Sequence, residues 1–246
     1  MQITFLGTGT GLPNQQRAPS GLLVRVQDTP LLFDSGSGTL GRLLSVGVEP
    51  PELDYLYYTH THTDHTADLV PLLQAMDLDR RTRDLHLTAP SALWDFLDGL
   101  LAVQPWARPK AFQLLRHPAE TAPYCGSNWK VTAARTHHVP HSFGYRLEAD
   151  GKVLAYSGDA AFCQDLIGLS YEADVLILEC SYPDQLAHSD HLTPSQAAHI
   201  AAQANARHLV LTHFYPVCNE PEIEAQASKG FPGSLTLAQD GLALTI

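Results

Sequence analysis

An apolar run, Asp54-Tyr55-Leu56-Tyr57-Tyr58-Thr59, passes directly into His60-Thr61-His62-Thr63-Asp64-His65. Four potential metal donors in six residues, placed just after a strand-like segment, limit the folds open to the chain. The strand has to end where other polar strand ends can meet it. His60 and His62, two apart, can chelate one ion, and Asp64 and His65 are placed to serve a second. Imidazole with carboxylate and no thiolate suits Zn2+ first, with Mn2+ or Fe2+ as further candidates.

The rest of the chain supplies such strand ends. Strands are expected over 2–6, 21–26, 30–34, 54–59, 129–135, 143–148, 152–156, 174–179 and 208–212, from their aliphatic and aromatic content and flanking Gly and Pro. Helical spacing of apolar residues marks Leu69, Leu72, Leu73 and Met76, and again Leu93, Phe96, Leu97, Leu100 and Leu101. The best-marked helix is 194–204, with Thr193 as N-cap, Pro194 in the first turn and Gln196 completing a capping box. Segment 103–110, with two Pro and a Trp, reads as an irregular loop. No linker or repeat divides the chain, and one domain over 1–246 is expected. Aspartates and histidines recur at the strand ends: His138 before the strand that opens Phe143-Gly144, Asp159 after Ser157-Gly158, and His213 after Leu211-Thr212.

Composition narrows the function. No apolar run approaches the roughly 18 residues that a membrane helix needs, so no membrane partner is expected. Met1–Gly7 reads as a strand without a basic lead, which argues against a signal peptide. The four cysteines stand apart without a CxxC pair, giving neither a disulfide framework nor a thiolate zinc site, and a cytoplasmic location is the default. The 15 Lys+Arg against 26 Asp+Glu give a formal charge of −11. That balance disfavours a protein that grips nucleic acid by charge alone. The one basic cluster, Arg80, Arg81 and Arg83, reads as a solvated helix end.

With these residues in place, the chain resembles the metallo-β-lactamase superfamily and, within it, the ribonuclease Z-like branch. The resemblance rests on Thr4-Phe5-Leu6-Gly7-Thr8-Gly9, Leu32-Phe33-Asp34-Ser35-Gly36-Ser37-Gly38-Thr39, the HxHxDH motif at 60–65, His138 six residues before Gly144, Ser157-Gly158-Asp159, His191-Leu192-Thr193 and Leu211-Thr212-His213. It implies an α/β fold, a four-layer αββα sandwich with metals at one edge of two packed sheets. It further implies one ion held by His60, His62 and His138, and a second held by Asp64, His65 and His213, with Asp159 bridging them. His137 and His141 are the runners-up to His138. In this branch a histidine at the position of His191 protonates the leaving group, with His188 a weaker rival, and Asp34 could orient ligand residues.

Two divalent ions about 3.5–4 Å apart would activate a bridging hydroxide and stabilise attacking and leaving oxygens. Counting two ions, the carboxylates of Asp64 and Asp159, and hydroxide, the centre keeps a formal charge of +1, which suits a singly charged phosphodiester. Asp64 and His191 are the expected catalytic residues, Asp64 by orienting the nucleophile. The expected activity is hydrolysis of a small or nucleotide-like phosphodiester. Two alternatives stand beside it: carboxylic ester, thioester or lactone hydrolysis, and tRNA 3′ processing. True ribonuclease Z enzymes hold tRNA with a long arm inserted between the positions of His138 and Asp159, and here those residues are only 21 apart. A homodimer is compatible with the sequence, which does not decide it. Phe143, Tyr182, Phe214, Tyr215 and Trp106 lie near motif residues and could line either a pocket or the core.

Overall fold

The computed structural model describes residues 1–12, 14–121 and 123–246. Its strands are β1 (Gln2–Gly7), β2 (Gly21–Val26), β3 (Thr29–Phe33), β4 (Tyr55–Tyr57), β5 (Leu85–Ala89), β6 (Leu114–Pro118), β7 (Tyr124–Cys125), β8 (Trp129–Arg135), β9 (Phe143–Ala149), β10 (Lys152–Tyr156), β11 (Val175–Glu179), β12 (His208–Thr212), β13 (Ser234–Leu237) and β14 (Ala243–Thr245). They form two seven-stranded mixed sheets, ordered β14-β1-β2-β3-β4-β5-β6 and β13-β12-β11-β10-β9-β8-β7. The helices are α1 (Thr39–Ser45), α2 (Thr63–Thr66), α3 (Leu69–Leu78), α4 (Ala92–Val103), α5 (Gln164–Leu169), α6 (Pro194–Gln203) and α7 (Glu220–Ala227).

Three apolar clusters define the layers. Between the sheets, Ile3, Phe5, Val24, Phe33 and Tyr57 pack against Val131, Tyr145, Leu147, Leu154 and Ile177. The outer face of the first sheet, including Leu32, Leu56 and Leu87, buries against Leu72, Leu73 and Met76 of α3 and Leu93 and Leu97 of α4. The outer face of the second, including Leu176, Leu178 and Leu211, buries against α5, α6 and α7. The result is the αββα order expected. β11 runs through the middle of the second sheet with all five residues buried, as the apolar run Val175–Leu178 requires of a strand covered on both faces.

Strand direction carries the chemistry to one edge. β3, β4, β5 and β6 are parallel, and so are β10, β11, β12 and β13. The turns that follow β3, β4, β10, β11 and β12 therefore open at the carboxyl ends of the strands, where open α/β sheets present their ligand sites. Hydrogen bonds lock the two sheets together at that edge. Phe143 N–H donates to Thr59 O at 3.0 Å, and the Tyr145 hydroxyl donates to Tyr58 O at 2.7 Å. Gly158 is required there: its φ is +57°, and a Cβ would stand 2.6 Å from Thr59 Cβ.

Several expectations need correction. The segment 103–110 is not simply irregular, because Val103 ends α4 and Pro105–Ala107 make a 3-10 turn that buries Ala107. Arg81 is no solvated helix end. It is buried, pairs with Asp54 at 2.6 Å and donates to Pro51 O and Asp84 O, while Arg83 shares Asp54 from the surface. Strands β5, β6, β7, β13 and β14 and helices α1, α5 and α7 were not foreseen. Between β9 and β10, Asp150 and Gly151 both take positive φ and make a two-residue hairpin turn, so the 21-residue interval holds no arm. Among the described residues, no helix is long and apolar enough to cross a membrane.

Candidate metal centre

Local backbone geometry explains how the donors converge. β4 ends at Tyr57, and His60 follows on an extended turn before α2 lifts Asp64 and His65 back toward the sheet edge. Gly36 lets the β3 turn lie against that helix, since a Cβ there would fall 2.1 Å from Asp64 O. Ser35 N–H donates to His65 O at 2.7 Å and joins the two turns. Asp34 and His213, each just past a strand end, take φ values of +56° and +59°. Such positions strain a side-chain-bearing residue and are held only where the surroundings over-determine them.

All seven donors named from the sequence stand in one cluster. His60, His62, His138 and Asp159 offer donor atoms within 4.8 Å of one another, as do Asp64, His65 and His213. Asp159 faces both groups. Its Oδ2 lies 3.9 Å from His60 Nε2 and 3.6 Å from His138 Nε2, and its Oδ1 lies 3.1 Å from His65 Nε2 and 3.2 Å from His213 Nε2. Asp64 Oδ2 is 3.5 Å from His213 Nε2. The runners-up stand elsewhere: His137 is exposed, and half-exposed His141 points toward Glu120.

Chemistry at these atoms fits a cation. His60 Nε2, His65 Nε2, Asp159 Oδ1 and His213 Nε2 are buried and have no hydrogen-bond partner. Each buried orphan of this kind costs about 1–3 kcal/mol, and coordination to two divalent ions, one per group of donors, would satisfy all four. Burial and the neighbouring His65 hold His60 well below its ordinary pKa, leaving a free ring nitrogen. Burial alone would raise Asp159, but His213 and His65 outweigh it and keep the carboxyl ionised. Asp64 is likewise held low, with His213 and His65 overcoming its burial.

A second ring of side chains fixes these donors. Asp34 Oδ2 meets His65 Nδ1 at 2.8 Å, and Asp34 also accepts from Thr59 N–H, the Thr59 hydroxyl and the Tyr156 hydroxyl. These bonds place Asp34 where it can orient the His65 ring. The Thr59 hydroxyl reaches His60 Nδ1 at 2.9 Å, Asp190 O meets His138 Nδ1 at 3.0 Å, and Ser181 Oγ meets His213 Nδ1 at 3.0 Å. Supports of this kind usually carry a 10- to 100-fold share of metal affinity. Asp34→Asn is accordingly expected to weaken binding of the ion near His65 by about that factor, read by competition with a chromophoric chelator; unchanged affinity would mean that Asp34 only shapes the turn.

His191 sits beside the cluster, mostly buried, with its ring 4.9 Å from that of His138 and 5.9 Å from that of His213. One ring nitrogen lies within 4.8 Å of donors on Asp159 and His213. Glu179 Oε1 holds His191 Nδ1 at 2.7 Å. Glu179 is fully buried and also accepts from Ala160 N–H, Ser181 N–H and the Ser181 hydroxyl. Burial would depress His191, but Glu179, with Asp159 and Asp190, raises it to about 9. Its rival His188 is half-exposed and lies near Asp190. Glu179 was not anticipated, although a single acid ending an otherwise apolar strand was a readable signal. Of the aromatics, Phe143 and Phe214 are buried in the core, Trp106 is 59% exposed, and Tyr182 and Tyr215 are half-buried beside His191.

Two packed sheets with a histidine- and aspartate-lined edge define a metal-dependent hydrolase. The chain belongs to the beta-lactamase superfamily, whose domain it matches over residues 29–214. It is 26% identical to ribonuclease Z of Streptomyces coelicolor over 97% of this chain and 95% of that protein. It is 33% identical to the mitochondrial ribonuclease Z of Drosophila melanogaster over 87% of this chain and 31% of that one. Among solved structures, the metallo-β-lactamase fold protein YhfI from Bacillus subtilis superposes with a TM-score of 0.89 at 25% identity, covering 99% of this chain and 98% of that one. The short form of human tRNase Z superposes at 0.82 and 26% identity, covering 100% and 99%. The ribonuclease Z and tRNase Z relatives are named for nucleic-acid processing, whereas the present chain carries a formal charge of −11.

Proposed function

We propose that the chain is a dinuclear phosphodiesterase of the ribonuclease Z type, cleaving an RNA phosphodiester such as the one that joins a tRNA to its 3′ trailer. The observation that carries this reading is the Glu179–His191 pair beside the donor cluster. A protonated imidazole held at that place suits departure of a poor alkoxide leaving group, which phosphodiester cleavage in RNA produces. Similarity to proteins named ribonuclease Z, running the length of the chain, supports the same substrate class.

In this reading His60, His62 and His138 would hold one ion and Asp64, His65 and His213 the other, with Asp159 facing both groups. When bound, the pair, of which Zn2+ is the best match to the donors, supplies positive charge to the phosphate and a nucleophile at neutral pH. Asp64, kept ionised, accepts a hydrogen bond from the attacking water and orients it. Asp34 and Thr59 keep His65 and His60 aimed. His191 gives its proton to the departing oxygen, and Glu179 keeps that proton on the ring.

A second reading is favoured by the two-residue turn at Asp150-Gly151. With no arm beyond it, hydrolysis of a small phosphodiester fits the described residues as well. The two separate in one assay: metal-loaded protein against a precursor tRNA, an aryl phosphodiester, a lactone and a thioester. Site-specific trailer release is expected. Turnover of the small diester without RNA cleavage would favour the second reading, and turnover of only the lactone or thioester would overturn both.

A further inference from the structure

Tyr182 and Tyr215 belong to none of the three apolar clusters. Their rings stack on each other with centroids 4.8 Å apart and planes 16° apart. The ring of His188 continues the stack at 5.8 Å from Tyr182 and 30°, with half of its side chain exposed. This stack abuts the centre. Tyr182 lies 5.8 Å from His191, and Tyr215 lies 6.1 Å from His191 and 6.3 Å from His213. Tyr182 follows directly on Ser181, which Glu179 anchors, and Tyr215 follows two residues after His213. The same elements that fix the acid and a metal donor therefore fix the two rings.

Charge shows what such rings must supply. The loops 34–38, 60–66, 136–142, 157–163, 180–193 and 213–219 contain no Lys or Arg. Arg17, on the neighbouring loop, is buried and committed to Glu220, Thr8 and Ala238 O, with its guanidinium over Phe214. Arg135, just before the 136–142 loop, lies over the Phe143 ring, and among the described residues these loops themselves offer no further Lys or Arg to grip a phosphate chain. Affinity for an organic substituent has to come from contact with its planar part. Successive rings extend an aromatic stack in a sequence-tolerant way, because every base has a π-face.

Resting on the phosphodiesterase reading for its catalytic meaning, we infer that the stack of Tyr182 and Tyr215 forms a subsite for the nucleobase of the leaving nucleoside, which extends it on the ring face of Tyr215 that Tyr182 leaves uncovered. His191 places the departing oxygen on this side of the centre, and the rings stand where the base attached to that oxygen's sugar would lie. Because stacking is blind to hydrogen-bond edges, the subsite accepts purines and pyrimidines alike and favours the larger rings of purines.

The test is equilibrium binding to the metal-loaded protein, which does not depend on turnover. Adenosine 5′-monophosphate and ribose 5-phosphate present the same phosphate with and without a base. The nucleotide is expected to bind about ten-fold tighter or more to the wild type. That preference should fall to near unity in Tyr182→Ala and Tyr215→Ala and persist in Tyr182→Phe and Tyr215→Phe, with ribose 5-phosphate affinity and metal content unchanged in all four. Equal affinities in the wild type, or a preference that survives both alanine substitutions, would overturn the subsite. Separately, kcat/KM for diesters with nucleoside or methyl leaving groups reports on the chemistry. Failure of the wild type to hydrolyse any diester would sink the phosphodiesterase reading while leaving the base preference to be judged on binding alone.

Discussion

Asp159→Ala is expected to lose both metal ions at once. Purified without chelator, the wild type should carry about two divalent ions per chain, and the variant well under one. The reason is geometric. Oδ1 of Asp159 faces His65 and His213, Oδ2 faces His60 and His138, and among the described residues no other carboxylate reaches both groups. Hydrolysis should fall by roughly three orders of magnitude, since several kcal/mol of charge stabilisation at the phosphate goes with the ions. Asp159→Asn separates the two halves, because an amide nitrogen cannot donate to a metal and one group of ligands keeps its oxygen. That variant should hold about one ion. Thermal melts check that the fold survives: added Zn2+ should stabilise the wild type, by about 2.7 kcal/mol at a hundredfold excess over its Kd, and Asp159→Ala much less. Two tightly held ions in Asp159→Ala, by elemental analysis, would overturn the bridging assignment.

Why the donors were legible and their supports were not follows from the physics of each. A metal donor needs a particular atom type, and His and Asp gathered after apolar strands advertise it in sequence. Their supports need only one hydrogen-bonding oxygen, which Thr59, Ser181, Tyr156 or a carbonyl such as Asp190 O supplies equally well. Nothing about a lone threonine after a strand announces that it holds a ring. Glu179 is intermediate: its type is telling, but its partner His191 lies twelve residues on, across a turn and a loop. The central strands could be placed because both faces are buried and their sequences are continuously apolar, as in β11. Edge strands failed for the opposite reason. β6 reads Leu-Leu-Arg-His-Pro with no residue fully buried, and β13 and β14 are short and half-covered. Arg81 was misread because its local context, two further arginines in four residues, is that of a solvated turn. Its burial depends on Pro51 and Asp54, about thirty residues earlier.

His191→Ala is expected to separate substrates by the basicity of what leaves. The residue is not needed for either group of metal donors, so both ions and the fold should be retained. An aryloxide bearing electron-withdrawing groups departs without a proton, whereas a ribose or alkyl oxygen does not. Loss of a positioned acid should therefore cost roughly 10²- to 10⁴-fold in kcat/KM on alkyl and nucleoside diesters and far less on activated aryl diesters. Glu179 gives this prediction a pH signature. The ring acts as an acid only while protonated, so its contribution is present at low pH and is lost as pH rises through its pKa, which Glu179 raises above the ordinary histidine value. Glu179→Gln keeps the side chain's shape but removes the charge. It should move the alkaline limb of kcat/KM to lower pH for nucleoside diesters while leaving the aryl series nearly flat. His188→Ala shares the loop without touching Glu179 and should leave the aryl series and the alkaline limb in place. Equal losses across the whole leaving-group series in His191→Ala would make the residue a structural one, and a steep loss in His188→Ala would move the acid three residues back along the chain.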